Sequence, residues 1–495
     1  MTRREVLGTL AAAGTGLTLG APFAGRAQGS RSRPNVLFIF TDDQRFDTIH
    51  ALGNDEIVTP NLDALVSRGV TFTHAYIMGG TSGAVCIPSR AMLMTGRSLF
   101  HLQNVGQGIP PEHVTFPEAL RQAGYATFGT GKWHNGTPSY ARSFSAGGEV
   151  FFGGMADHWN VPLCDFSSSG EYPKPRELKA RWGKIEMTLS SAFDHIRSGE
   201  HSSDLFTDAV VRFLKGYRDE APFLAYIAYT APHDPRETHQ RYHDLYDVDA
   251  IRLPGNFLAE HPFDNRDLRT RDEKLAAWPR TPREIREHIA DYYAMISHLD
   301  AQVGRLLETL KETGQAENTI IVFAGDNGLA VGQHGLMGKQ NLYEHSIHVP
   351  LIIAGPGIPR NERRDGLCYL TDIFPTLCEL TGMATPATVD GQSLVPLMHD
   401  STAVARERLL FAYTDCQRAV RDERYKLIEY AVNGTRTTQL FDLRDDPWET
   451  RNLADDPAGG DHLQRLRTEL QRWRAELGDT RPMGERFWAT YDEHS

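Results

Sequence analysis

Cys86 opens the run Cys86-Ile87-Pro88-Ser89-Arg90, which continues Ala91-Met92-Leu93-Met94-Thr95-Gly96-Arg97. Pro88 suits the first turn of a helix, where a missing N–H is no loss, and Ser89 and Arg90 then lie in the same turn. Backbone N–H groups at a helix start, joined by a guanidinium, make an anion site that suits a sulfate group. Taken alone, the cysteine reads equally as a small buried residue beside a helix start. Further clusters change its setting: Asp42-Asp43, Gly131-Lys132-Trp133-His134, Pro232-His233, Gly325-Asp326-Asn327-Gly328 and Gly338-Lys339. Asp42, Asp43, Asp326 and Asn327 offer only oxygen ligands, two pairs from two places in the chain, which suits a hard divalent cation such as Ca²⁺ rather than zinc. Singly, each pair also reads as a polar strand end or helix cap, His134 as a structural histidine and Lys339 as a solvated charge.

The elements ahead of these clusters give them a common address. Asn35-Val36-Leu37-Phe38-Ile39-Phe40 is an uninterrupted apolar run, as expected of a strand buried on both faces, and it delivers Asp42 and Asp43. Residues 223–229 run into His233 in the same way, residues 319–324 into Asp326, and the shorter run 126–128 toward Lys132 and His134. In an open α/β sheet the carboxyl ends of the strands line the ligand crevice, where such clusters can meet. Ile285, Ile289, Tyr292, Ile296, Leu299, Val303, Leu306 and Leu310 step by fours and threes after Thr281-Pro282, predicting one long covering helix that Gly314 ends. Residues 60–69 and 116–123 predict shorter helices. Residues 140–200 and 235–282 lack clean periodicity and read as long excursions over the sheet edge. Beyond about residue 400, short strands at 409–413, 418–421, 425–430 and 439–443 read as an antiparallel meander, followed by a helix over 463–477.

The chain has 495 residues, 40% of them hydrophobic, and a net charge of −12. An acidic balance without a basic surface excess argues against nucleic-acid binding, though it leaves local anion binding open. The N-terminus, Met1-Thr2-Arg3-Arg4-Glu5-Val6-Leu7-Gly8 and then a Gly/Ala/Leu run, resembles a twin-arginine export signal over residues 1–27. A periplasmic or secreted bacterial protein with no membrane span after cleavage is expected. Five cysteines make no disulfide framework and no zinc-type pair, and Cys368 and Cys378 are expected to be buried.

The pattern C-x-P-S-R-x-x-x-x-T-G at Cys86, with the ordered set from Asp42 to Lys339, resembles the type I sulfatase family of the alkaline-phosphatase-like superfamily, over essentially the whole mature chain. The resemblance implies an α/β fold: a large mixed, mostly parallel sheet sandwiched by helices over residues 28–400, with a small C-terminal α+β subdomain over 401–495. It also implies that a separate maturation enzyme oxidises Cys86 to formylglycine, and that Asp42, Asp43, Asp326, Asn327 and an oxygen on residue 86 hold one Ca²⁺, with Mg²⁺ as the alternative. Hydrated formylglycine would attack the sulfur of a sulfate ester with one hydroxyl. The second hydroxyl would then lose its proton and expel sulfate as the aldehyde re-forms. Arg90 would stabilise the diol and the metal environment, Lys132 would bind sulfate oxygens, and His134 would act as base in the expulsion. His233 and Lys339 would bind sulfate and protonate the leaving oxygen, in an undivided assignment.

Asn135 and His334 stand near these clusters without a defined role. His158 and Trp159 could meet a sugar ring or belong to the core, and Gln417 and Arg418 could reach a uronate or second sulfate or form a salt bridge. The expected function is an exported sulfatase acting on a sulfated carbohydrate. Its competitors are a phosphonate monoester or phosphodiester hydrolase of the same superfamily and a non-catalytic carbohydrate-binding relative.

Overall fold

The computed structural model describes residues 33–103, 106–182, 185–479 and 482–493. The export signal expected over residues 1–27 lies outside the described residues. The strand Asn35–Thr41 sits inside an eight-stranded sheet. The order runs Glu362–Arg364, Gly69–Phe72, Leu351–Ala354, Thr319–Gly325, Asn35–Thr41, Phe223–Ala228, Ala126–Lys132 and Ala146–Phe151. Asn35–Thr41 pairs in parallel with both neighbours, and only the two pairings made by Leu351–Ala354 are antiparallel, so the sheet is mixed and mostly parallel.

Both faces of the sheet are covered, which is why these strands are apolar runs and not alternating ones. Val36, Phe38 and Phe40 join one hydrophobic cluster, with residues of the helices Cys86–Thr95, Phe116–Gln122 and Ile373–Thr381. Leu37 and Ile39 join the other, with residues of Pro60–Arg68, Ser202–Gly216 and Pro282–Glu312. Burying each such side chain contributes about 1.5–3 kcal/mol. The long helix follows its sequence pattern: all eight stepped residues from Ile285 to Leu310 are buried, Thr281 caps it by accepting a hydrogen bond from the Glu284 N–H, and Gly314 comes after it in left-handed backbone.

Two expectations need correction. Residues 146–151 are not part of an excursion but the edge strand of the main sheet, and the 126–128 run extends to Lys132. The edge strand is disguised by Ala146-Gly147-Gly148, yet Gly147 is required there, since a Cβ would lie 2.6 Å from the Gly129 carbonyl oxygen and closer still to the Tyr140 hydroxyl. Gly131 has φ +83°, and a Cβ on it would collide with the Ala228 carbonyl, so only glycine lets the strand bulge here and turn Lys132 and His134 into position.

Strands Leu409–Tyr413, Gln417–Arg421, Tyr425–Val432 and Thr435–Asp442 form the antiparallel meander, extended at one edge by Gly79–Gly80 in parallel with Leu409–Tyr413. The helices Gly460–Glu476 and Pro482–Glu493 come next in the chain. All five cysteines are free and buried. Among the described residues no helix is long and apolar enough to cross a membrane.

Candidate active site

Four neighbouring parallel strands end at the same edge of the main sheet, and the residues at or just beyond each end supply one part of the site. Asp42 and Asp43 come directly after Asn35–Thr41, and Asp326 and Asn327 directly after Thr319–Gly325. Lys132 closes Ala126–Lys132 with His134 two residues on, and His233 lies beyond Phe223–Ala228. Cys86, 2% exposed, begins the helix that runs to Thr95. Its sulfur lies 3.4 Å from His134 Nδ1 and 3.7 Å from Lys132 Nζ.

The cations are held against the carboxylates. Lys132 donates to Asp42 Oδ2 at 2.5 Å, Lys339 pairs with Asp43, and His233 Nε2 stands 3.8 Å from Asp43 Oδ2. The Arg90 guanidinium, fully buried, donates from Nε to Asp326 Oδ2 at 2.8 Å and from Nη1 to the Lys132 carbonyl at 2.9 Å. Ser89 donates to the Asp326 carbonyl at 2.5 Å, so Ser89 and Arg90 together pin the start of the Cys86 helix to the Asp326 strand end. Asn135 reaches the same helix start by donating to the Ile87 carbonyl at 3.0 Å and to the Gly106 carbonyl at 2.6 Å.

Electrostatics result from this crowding. Burial alone would raise the Asp42 carboxyl, but Lys132, His233, Arg90 and Lys339 together hold it well below the usual carboxylate range. Burial and the neighbouring Asp42 charge push the Asp326 carboxyl up to about 7, against the pull of Arg90 and Lys132. Burial, helped by the Lys132 and Arg90 charges, drives His134 well below its ordinary value and keeps the ring neutral. For Lys339 burial works against the charge, yet the Asp43 and Asp42 carboxylates hold the ammonium well above its ordinary value. Burial pushes the Cys86 thiol up.

Among the four residues expected to hold the ion, three buried oxygens have no hydrogen-bond donor: Asp42 Oδ1, Asp43 Oδ2 and Asn327 Oδ1. Buried polar atoms left in this state call for a partner. The carboxylates of Asp42 and Asp326 and the Cys86 sulfur can also bring ligand atoms within 4.8 Å of one another. Asp42, Asp43, Asp326 and Asn327 offer only oxygens here, a donor set that fits a hard divalent cation.

Two of the expected residues are re-aimed by their backbone: Asp43 and His134 have φ +65° and +67°, left-handed conformations uncommon outside glycine. Other supporting residues escape a sequence reading. Tyr292, on the long helix, fixes the Asp-Asp turn by donating to the Asp43 carbonyl at 2.5 Å and accepting from the Arg45 N–H at 3.1 Å. Gly154 lies against the His134 ring, where a Cβ would come within 2.7 Å of Nε2. Asp234 is held by Arg271, next to His233.

The specificity candidates divide. His158 donates from Nε2 to the His233 carbonyl at 2.9 Å and so supports the site from behind. Trp159 packs edge-on against His201 and His239. Gln417 meets the Lys339 loop by donating to the Gln340 carbonyl at 3.3 Å. His334 stacks on Tyr343 and meets Asn256. Arg418 is bound through both Nε and Nη2 to Asp479, at 2.6 and 2.9 Å, and the pair is buried, so its guanidinium is used within the fold and is not offered to a ligand.

Residues 34–383 match the family model described as Sulfatase, and residues 332–476 match the one described as N-sulphoglucosamine sulphohydrolase, C-terminal. The chain is 29% identical over 451 residues to the choline-sulfatase of Rhizobium meliloti, covering 86% of this chain and 83% of that protein. It is 26% identical over 494 residues to the N-acetylglucosamine-6-O-sulfatase of Bacteroides thetaiotaomicron, covering 85% and 82%. Its fold matches the crystal structure of the phosphonate monoester hydrolase of Agrobacterium radiobacter with a TM-score of 0.71 at 22% identity, covering 90% of this chain and 96% of that one. The chain belongs to the sulfatase family, whose members hydrolyse sulfate esters.

Proposed function

We propose that the protein is an exported sulfatase acting on a sulfated carbohydrate, with residue 86 as formylglycine and Ca²⁺ as its ion. The observation that carries this is the meeting of Lys132 and His134 at Cys86, beside three donor-less oxygens from two strand ends. Asp42, Asp43, Asp326, Asn327 and the oxygen of residue 86 would hold the ion. When bound, it supplies fixed positive charge for the sulfate oxygens. Formylglycine, hydrated, supplies one hydroxyl to attack sulfur and a second whose deprotonation frees sulfate.

The chain's own groups do the rest. Neutral His134, with Nδ1 turned to residue 86, is placed to take the proton of the second hydroxyl. Lys132, beside the same atom, binds sulfate oxygens. Arg90 holds Asp326 and the start of the Cys86 helix in place. His233 and Lys339 both stand on Asp43 and would bind sulfate and give a proton to the departing alcohol oxygen.

On the same reading the catalytic domain spans 28–400 and a C-terminal subdomain spans 401–495, the latter supported by the antiparallel meander of its four strands, to which Gly79–Gly80 adds an edge. The chain would pass through the twin-arginine machinery to the periplasm or exterior. At 2% exposure Cys86 is closed to a modifying enzyme in the folded chain, which supports oxidation before folding and export. The N-acetylglucosamine-6-O-sulfatase relative supports a sugar substrate.

Parallel assays of the mature enzyme on 4-nitrophenyl sulfate, a panel of sulfated sugars and an aryl phosphonate monoester test the activity. Sulfate esters are expected to turn over fastest, with activity lost on EGTA treatment and restored by Ca²⁺. A phosphonate turned over orders of magnitude faster would overturn the assignment, and indifference to chelation would remove the ion.

A further inference from the structure

His233 and Lys339 lie far apart in the chain, yet both stand on Asp43. One short segment, Arg271-Asp272-Glu273 at the start of the helical turn Asp272–Leu275, reaches the surroundings of both. Glu273, buried, holds the Lys339 side. Its carboxylate accepts from the Met337 N–H at 2.9 Å and from the Gly338 N–H at 2.8 Å, the two backbone groups just ahead of Lys339. Arg280, also buried, steadies that carboxylate by donating from Nη2 at 2.6 Å, and ties it to the same loop by donating from Nε to the Gly335 carbonyl at 3.3 Å. Asp272 accepts from Gln340 Nε2 at 2.7 Å, and Gln340 Oε1 accepts from the Lys339 N–H at 3.0 Å. Gly338 leaves room for these bonds, since a Cβ there would lie 2.9 Å from the Asp272 Cβ and closer still to Gln340 Oε1.

Arg271 holds the His233 side. Its guanidinium pairs with Asp234 and, at 2.6 Å, with Asp272. The Asp234 carbonyl accepts from His233 Nδ1 at 2.8 Å, which leaves Nε2 facing Asp43. Buried ion pairs add little net stability over apolar packing, so three charged side chains in a row at this place fit a demand for fixed geometry.

We propose that Arg271-Asp272-Glu273 is a positioning clasp that sets His233 and Lys339 at a fixed spacing beside the oxygen that leaves the sulfate ester. The clasp acts through Asp234, Gln340 and the backbone of residues 337 and 338. It rests on the reading that His233 and Lys339 serve that oxygen. As the S–O bond breaks, the ester oxygen keeps the bonding pair and takes a proton, which it needs more the more basic it is. Opening the clasp therefore slows esters of weakly acidic phenols more than esters of acidic ones.

The test compares kcat/KM of the full-length enzyme on 4-nitrophenyl sulfate and on 4-methoxyphenyl sulfate, whose leaving oxygen is the more basic. Glu273→Gln weakens the hold on the Lys339 loop, and Arg271→Lys keeps the charge but cannot fork to Asp234 and Asp272 together. Each is expected to slow the methoxyphenyl ester at least ~10-fold more than the nitrophenyl ester. Gln340→Ala removes no buried charge and serves where a charge variant does not fold; the same bias is expected, at about 3-fold. Amide exchange in peptides covering residues 335–340, read by mass spectrometry, is expected to speed up at least ~10-fold in Glu273→Gln. Equal slowing of the two esters in every variant that folds, or unchanged exchange over 335–340, overturns the proposal. The two readings fail separately: a wild-type enzyme that hydrolyses neither ester contradicts the sulfatase assignment, whereas the exchange measurement judges the clasp without any turnover.

Discussion

Cys86→Ala is expected to lower turnover of any sulfate ester by at least ~10⁴-fold while leaving the fold in place. The substitution removes one sulfur atom whose neighbours are His134 and Lys132. Lys132 keeps its bond to Asp42, and Arg90 keeps Asp326. The loss of stability should therefore stay within about 1–2 kcal/mol, at the low end for a buried truncation. With the thiol gone, the β-carbon can no longer be oxidised to the aldehyde whose hydrate is the nucleophile. Circular dichroism and a urea unfolding curve would establish the fold, and kcat/KM on 4-nitrophenyl sulfate the loss. Cys86→Ser should behave likewise in a host whose maturation enzyme does not accept serine. Substantial turnover by the alanine variant would remove residue 86 from the chemistry.

Arg90→Ala should fail in both respects at once. Its guanidinium is fully buried, and it is the cation that joins Asp326, the Lys132 carbonyl and the Cys86 helix. Removing one partner of a buried ion pair leaves the other charge uncompensated, typically at about 3–5 kcal/mol. The expectation is a lower urea midpoint together with loss of activity, because Lys132 and the Cys86 helix lose their common anchor. Arg90→Lys keeps the charge but cannot span Asp326 and the Lys132 carbonyl with one planar fork, so it should recover part of the stability and little of the activity. A stability change under about 1 kcal/mol for the alanine variant would contradict this account.

The legibility of the fold in the sequence has a physical basis. Residues 35–40, 223–228 and 319–324 were legible as strands because burial on both faces leaves an unbroken apolar run, and the polar residues after them were legible as a site because parallel strands end at one edge. Residues 146–151 were not, because a glycine-rich edge strand looks like a loop until Gly129 and Tyr140 are seen against it. Leu351–Ala354 carried an apolar signal, but one too short to separate from a buried helix turn.

The site divides in the same way. Asp42, Asp326, Lys132 and His134 announce themselves by type and place. Tyr292 and Gly154 do not, since a helix tyrosine reads as core and a loop glycine as a turn; their roles exist only in contact with Asp43 and His134. Arg418 on its strand was open to two readings, a ligand contact or a salt bridge, and Asp479, far along the chain, decides for the salt bridge.

The central claim is that residue 86 is made into an aldehyde and does its chemistry as one. Mass spectrometry of the peptide containing residue 86, from protein purified out of its native host, tests this most directly. The account predicts a peptide in which the CH₂SH of cysteine is replaced by CHO, trapped by a carbonyl reagent at that residue. A peptide bearing only unmodified cysteine, from protein that hydrolyses sulfate esters, would contradict it.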